Sequence, residues 1–124
     1  YYNHPIRKVR KKVNVVEEAI ITINNTSLSK KHNYPIIKIR ATKDGDLTIN
    51  NKSIQGSSPL RITGLKEGQE AIIDNAMYIV TDTEGNNLFH MVNRNWLGIK
   101  HGKNDIQITG NAKVEIQCNL EIRV

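Results

Sequence analysis

The C-terminal segment 112–124 alternates apolar and polar residues without interruption. Its even positions hold the apolar side chains, from Ala112 to Val124, and its odd positions hold charged or amide side chains. A period of two places successive side chains on opposite faces, which is the pattern of a half-buried β-strand. Cys118 falls on the apolar face, so we interpret it as a small buried core residue and not as a reactive thiol.

Shorter strand-like runs fill the rest of the chain. The run IQI at 106–108 indicates a strand of its own, and Gly110-Asn111 predicts a turn between it and the C-terminal strand. Asp44-Gly45 predicts a hairpin between the runs YPIIKIRA and DLTIN, and a turn near Asp74-Asn75 separates two further strands. Short strands with frequent turn signals are typical of an antiparallel sandwich or barrel.

The N-terminal region supports two interpretations. Some of its apolar residues recur at the spacing of one helix face: Ile6, Val9, Val13, Val16 and Ile20. These residues are β-branched, however, and AIITIN continues as strand-like sequence, which favours a strand preceded by an arm. We therefore predict a basic N-terminal arm or linker from an upstream domain at residues 1–19, and a β-sandwich domain at residues 20–124.

A cluster of five cations, the basic segment, sets the charge of the chain. Its members are Arg7, Lys8, Arg10, Lys11 and Lys12. They account for most of the formal net charge of +6, because the rest of the chain has thirteen Lys or Arg against twelve Asp or Glu. We predict that the basic segment contacts an acidic surface of a partner protein, or else is a solvated arm. Nucleic acid is the alternative partner, which we disfavour because the aromatic residues lie elsewhere in the chain.

No arrangement of residues in the sequence points to catalysis, a metal or a cofactor. The chain lacks a nucleophile elbow and a phosphate-binding P-loop, and its four histidines are widely separated. Its single cysteine cannot form an internal disulfide, and no apolar run approaches the length of a membrane helix. We predict a non-enzymatic domain that carries no cofactor and does not enter a membrane.

Trp96 is the candidate for a ligand-binding aromatic residue. It is the only tryptophan, and it lies in a predicted loop between MVNRN and LGIKHGKN. Its ring could stack on a sugar, as aromatic side chains do in carbohydrate-binding β-sandwiches. The alternative, which we favour, is packing at the rim of a core that is otherwise aliphatic.

Several segments resemble the C-terminal part of siphophage distal tail proteins. The matching segments are NYPIIKI, GDLTINN, EAIID with AMYIVTD, and WLGIKHGKNDIQITG before the alternating strand. The matching positions are Pro35, Ile37, Ile39, Ile73, Asp74, Leu97, Gly102, Asn104 and Ile106. Trp96 departs from the pattern, because the family often has proline there.

This resemblance implies an all-β fold, an antiparallel β-sandwich of the galectin-like or jelly-roll type. Distal tail proteins form a hexameric ring at the end of the tail tube, mostly through an N-terminal domain, and act as a hub for baseplate proteins. The resemblance therefore implies a structural component of a phage or prophage tail tip, monomeric as a fragment. It implies a place in the virion tail after assembly in the host cytoplasm. The alternative function is recognition of a host-surface carbohydrate through Trp96.

Overall fold

The computed structural model describes residues 6–27 and 32–121. This part of the chain forms seven β-strands and a short 3-10 helix at Phe89–Met91. The strands are β1 (Ile6–Asn25), β2 (Ile36–Ala41), β3 (Gly45–Asn51), β4 (Leu60–Leu65), β5 (Glu70–Asp74), β6 (Ile79–Thr81) and β7 (Gly102–Glu121). The N-terminal region is thus a strand, as favoured, and not a helix. Residues 1–5 of the predicted arm and 122–124 of the predicted last strand lie outside the described residues.

The two longest strands, β1 and β7, form a continuous antiparallel ribbon. Their pairing runs from Ile6 opposite Glu121 to Asn25 opposite Gly102. The period of two in the sequence after Ala112 appears as alternation of buried and more exposed side chains over residues 112–120 of β7. The predicted division between residues 1–19 and 20–124 falls inside β1, so the described part of the predicted arm belongs to the sheet.

The sheet is organised around β7, because its second edge pairs with two strands in succession. The N-terminal half of β7 pairs with β3, and its C-terminal half pairs with β2. β4 extends the sheet beyond β3, while β5 and β6 extend it beyond β2, in the order β4-β3-β7-β2-β5-β6. These pairings are antiparallel, and the curled sheet encloses one hydrophobic core. The predicted all-β antiparallel sandwich is confirmed.

The hairpin predicted at Asp44-Gly45 is wrong, because β2 and β3 are not neighbours in the sheet. The pairing of β2 with β7 ends opposite Ala112, and that of β3 begins opposite Thr109. The link 42–47 therefore passes from one half of β7 to the other. The N–H of Thr42 holds it there by donating to the carbonyl oxygen of Asn111 at 3.1 Å.

The turn predicted at Gly110-Asn111 is also wrong, because β7 continues through it. Gly110 has a φ of 136°, and a Cβ at this position would lie 2.7 Å from the carbonyl oxygen of Asp46. Glycine is required here because the link 42–47 passes so close to the strand. On the β1 side, Glu17 has a φ of 68°, and its N–H donates to the side-chain oxygen of Asn111 at 3.2 Å.

Glu17 stands opposite Gly110 at this irregular point, which we call the junction. It divides the ribbon into two halves. The basic half contains residues 6–16 of β1 and 111–121 of β7, and the apolar half contains residues 18–25 and 102–109.

The core is aliphatic, as the composition predicts. The largest fully buried side chains come from β1, β2, β3, β4, β5, β7 and the loop before β7: Ile23, Ile37, Leu47, Ile49, Leu60, Ile62, Ile73, Ile99, Ile106, Ile108, Ile116 and Leu120. Burial of each contributes about 1.5 to 3 kcal/mol. Cys118 is buried among them, as predicted, and desolvation raises the pKa of its thiol to about 11.

Buried amides close the apolar half of the ribbon. The side-chain N–H groups of Asn104 donate to the carbonyl oxygens of Ile23, Lys100 and Gly102 at 3.1, 2.9 and 2.9 Å. Its side-chain oxygen accepts from the N–H of Lys100 at 2.8 Å and from the side chain of Asn51 at 2.9 Å. One fully buried side chain thus ties β7 to β1, to β3 and to the loop before β7.

Candidate interaction site

The basic segment lies within β1 and is exposed along its whole length. Side chains alternate along the strand, so Arg7 and Lys11 share the face of the core residues. Lys8, Arg10 and Lys12 lie on the opposite, outer face. The structure therefore brings all five predicted partner-binding residues onto one strand, with cations on both of its faces.

Acidic groups of the described chain neutralise little of the basic segment. The β7 residues opposite its members, from Arg7 to Lys12, are Leu120, Asn119, Gln117, Ile116 and Glu115. Only Lys12 faces a carboxylate. The ion pairs within the described residues use other cations: Arg40 with Glu70, Arg61 with Asp46, and Lys103 with Asp105.

β1 uses one of its two edges. It pairs with β7 and, among the described residues, with no other strand. An unpaired edge presents a row of backbone N–H and C=O groups that can pair with a strand of another chain. Charged side chains on such an edge have a second explanation, since they hinder edge-to-edge aggregation. The basic segment and the free edge coincide over residues 7–12.

A groove of about 520 Å³ lies on the outer face, beside the basic segment. Its lining includes one row of cross-strand neighbours: Lys12, Glu115, Lys38 and Ile72. The next row is Asn14, Lys113, Arg40 and Glu70, in which the last two side chains are 3.7 Å apart. This groove mixes four cations with two carboxylates, so it is also positive, but more of its charge is neutralised within the domain than in the basic segment.

Trp96 lies in a stack of aromatic side chains that we call the aromatic corner. The ring centroid of Trp96 is 5.2 Å from that of Tyr78 and 5.9 Å from that of Phe89. The guanidinium carbon of Arg94 lies 5.6 Å from the centroid of Phe89, within the range of a cation–π contact. Trp96 is half-buried and packs against the core, whereas Tyr78 is 59% exposed. The ring best placed to meet a ligand in this corner is therefore Tyr78.

The backbone of the aromatic corner is strained at two points and firmly anchored. Tyr78 and Arg94 have φ values of 58° and 65°, in the left-handed region that bulky residues rarely adopt. The fully buried Asn75 holds the adjoining segments together. Its backbone N–H and side-chain amide donate to the carbonyl oxygen of Pro35 at 3.2 and 2.7 Å, and its side-chain oxygen accepts from the N–H of Leu97 at 2.8 Å.

The sequence analysis identified Trp96 in this corner but not its partners. Met77, Tyr78 and Ile79 form an apolar turn, with 65%, 59% and 48% of each residue exposed. In the sequence, these apolar residues are simply explained as part of a strand. Only the fold brings this turn beside Trp96, because Tyr78 and Trp96 belong to different segments, with β6 and the 3-10 helix between them.

Neither a catalytic set nor a metal site emerges from the described residues. No three His, Cys, Asp or Glu side chains among them come together in a group that could hold a metal ion. Cys118 is buried, and its raised pKa keeps the thiol protonated at neutral pH. The same residues form no helix with the length and apolar character needed to cross a membrane.

Comparison with known proteins gives one family and two informative relatives. A family model described as "Phage tail C-terminal domain" matches residues 7–118. The SPbeta prophage-derived uncharacterized protein YomH of Bacillus subtilis (strain 168) is 26% identical over 82 residues, which cover 65% of this chain and 32% of YomH.

The Dit protein of phage SPP1 is a structural relative. Its crystal structure, described as a paradigm of the hub adsorption apparatus in phages that infect Gram-positive bacteria, matches with a TM-score of 0.68 at 12% identity. The match covers 92% of this chain and 47% of Dit, so the chain spans about half the length of Dit and a third of YomH. These findings confirm the resemblance to phage distal tail proteins. The chain belongs to the phage tail C-terminal domain family.

Proposed function

We propose that this domain is a non-catalytic module of a phage tail tip, which holds other tail or baseplate proteins in place. The observation that carries the proposal is the match of nearly the whole chain to the fold of SPP1 Dit, a protein described as a hub. The surface chemistry is compatible with docking. A charged strand edge and an aromatic corner with arginine are features that protein interfaces use.

In this proposal the domain projects from a hexameric ring formed by a part of the protein outside this chain. The support is that the chain matches only 47% of SPP1 Dit. The protein then resides in the virion tail, after assembly in the cytoplasm of the bacterial host.

Light scattering after size-exclusion chromatography tests the ring. We expect the 124-residue chain to be monomeric and the longer protein that contains it to be hexameric. Immunogold labelling of virions with an antibody against this domain should decorate the tail tip. Monomers in both samples, or labelling elsewhere on the particle, would refute the hub assignment.

The aromatic corner supports a second candidate, recognition of a host-surface carbohydrate. The exposed ring of Tyr78 offers a stacking surface, and its contact with Trp96 at 5.2 Å makes the only tryptophan a reporter of ligand. Titration with host cell-wall polysaccharide should then shift the tryptophan emission, and Tyr78→Ala should abolish the shift. A flat titration of the native chain would reject this candidate.

A further inference from the structure

We propose that the free edge of β1 receives an extended acidic segment of a neighbouring tail protein as an additional β-strand. This inference rests on the proposed tail-tip function, and it specifies both the partner chemistry and the mode of contact. The site is the part of the basic half that lies before the junction, residues 7–16 of β1.

The backbone of β1 favours a strand as the occupant. Every described residue of β1 pairs with β7, which uses only one edge of the strand. Its other edge offers regularly spaced donors and acceptors that an added strand would satisfy along its length. The left-handed backbone of Glu17 interrupts the regular edge, so the junction sets one end of the docking site.

The side chains favour an acidic occupant. Lys8, Arg10 and Lys12 project from the outer face, and β7 supplies a carboxylate opposite only one of them, Lys12. Acidic residues at alternate positions of an added strand would stand beside these three cations, and opposite charges on neighbouring strands attract. On the core side, Val9 and Val13 are half-buried, so apolar residues on that face of the added strand would complete their burial. The expected partner segment therefore alternates acidic and apolar residues.

Repulsion disfavours other registers and a second copy of this chain. Glu17 and Glu18 follow the site and would repel an acidic strand that shifted toward the end of β1. Two β1 edges paired antiparallel about Arg10 would place cation opposite cation on the outer face, for example Lys8 opposite Lys12, which is destabilising. The charges thus exclude this homotypic pairing and fix the position of an acidic strand.

The experiment uses the 124-residue chain, labelled with ¹⁵N, and a ten-residue peptide that alternates glutamate and valine, acetylated and amidated at its ends. Amide hydrogen exchange is measured by NMR with and without the peptide. We expect saturable binding that weakens with salt. We also expect at least tenfold slower exchange of alternate amides in residues 7–16, those that face away from β7. A peptide with lysine in place of glutamate should not bind.

Two matched controls separate strand addition from simple charge attraction. The same acidic peptide with N-methyl groups on alternate residues keeps its charge but cannot pair through that edge, and it should lose at least tenfold in affinity. The variant Arg10→Glu/Lys11→Glu/Lys12→Glu should lose binding, whereas Lys38→Glu/Arg40→Glu/Lys113→Glu, in the neighbouring groove, should retain it. Circular dichroism and thermal unfolding verify that both variants fold.

Three results would overturn the proposal: no binding at millimolar peptide, equal binding of the N-methylated peptide, or exchange protection outside β1. If the peptide did not bind, protection against edge-to-edge aggregation would remain as the explanation for the basic segment. Because these measurements use the isolated chain, they are independent of the ring. A hexameric parent with no peptide binding would retain the hub and reject the docked strand.

Discussion

The two halves of the β1–β7 ribbon share the same backbone pairing but are fastened in different ways. In the apolar half, Ile23 is fully buried, and Asn104 joins β7 to both neighbouring strands through buried hydrogen bonds. In the basic half, Val15 and the even residues of β7 are buried as well, but Val9 and Val13 are only half-buried, and the cations of β1 face solvent on both sides.

This contrast indicates that the two parts of β1 have different roles. Both halves bury apolar side chains, but the apolar half adds a network of buried amide hydrogen bonds. The unpaired edge of β1 runs along both halves, and the basic half lines it with a cluster of cations. We therefore expect the apolar half to determine global stability and the basic half to open first, because its β1 side chains are less buried and lack such a network. Mutations on the two sides of the junction should separate these roles.

The largest effect is expected from Asn104→Ala. The substitution removes the buried amide and leaves the groups it bonded, among them the Ile23 carbonyl and the Asn51 side chain, with fewer partners. We expect a loss of about 3 to 5 kcal/mol in the free energy of unfolding, measured with urea. Asn24→Ala, at an exposed position on the same half of β1, is the matched control and should change it by less than about 0.5 kcal/mol. Equal effects of the two variants would show that the buried amide of Asn104 does not fasten the apolar half.

A smaller loss is expected at the junction from Gly110→Ala. The new Cβ would lie 2.7 Å from the carbonyl oxygen of Asp46. The alanine backbone would also have to keep a φ of 136°. We expect a cost of about 2 to 3 kcal/mol.

Gly102→Ala is the control for the junction, because Gly102 has a φ of 93° but nothing within 4 Å of an added Cβ. It should cost about 1 kcal/mol, from backbone strain alone. If the two glycine variants unfolded at the same urea concentration, the close passage of the link 42–47 would not explain Gly110.

Local patterns in the sequence predicted which segments are strands better than they predicted which strands pair in the sheet. The alternation after Ala112 requires a strand, and burial confirms which of its faces is apolar. Glycine, in contrast, is favoured both in a turn and where a second backbone passes close to a strand. The sequence at Gly110 therefore does not distinguish these two structures. The Asp44-Gly45 signal correctly marked a break between two strands, but β2 and β3 both run antiparallel to β7, so the chain does not reverse there. The order of the strands in the sheet depends on β7, which comes much later in the chain, at Gly102–Glu121.

The candidate site was predictable in its residues but not in its geometry. The basic segment is a local cluster, so it is visible in the sequence, whereas the free edge beside it depends on which strands pair. Trp96 was identified because it is unique. Its stacking partner Tyr78 comes from a different strand connection, and no local signal joins the two. Asn104 matched a family motif, but its burial could not be derived from a single polar residue in a polar stretch.

The smallest perturbation is the labelling of Cys118, which tests whether the basic half opens alone. Cys118 stands opposite Val9, and burial raises the pKa of its thiol to about 11, so the folded form stays protonated and unreactive at pH 8. An opened form regains a pKa near 8.5, so the rate of reaction with a thiol reagent should rise with pH to about 9 and then level off.

Asn104→Ala discriminates between the two kinds of opening. If the basic half opens independently, this variant should change the labelling rate by less than about threefold, although it lowers global stability. If labelling requires global unfolding, the rate should instead rise more than about a hundredfold, in proportion to the unfolding equilibrium. That second result would show that the two halves unfold as one unit, and the basic edge would then be as rigid as the rest of the sheet when a partner strand arrives.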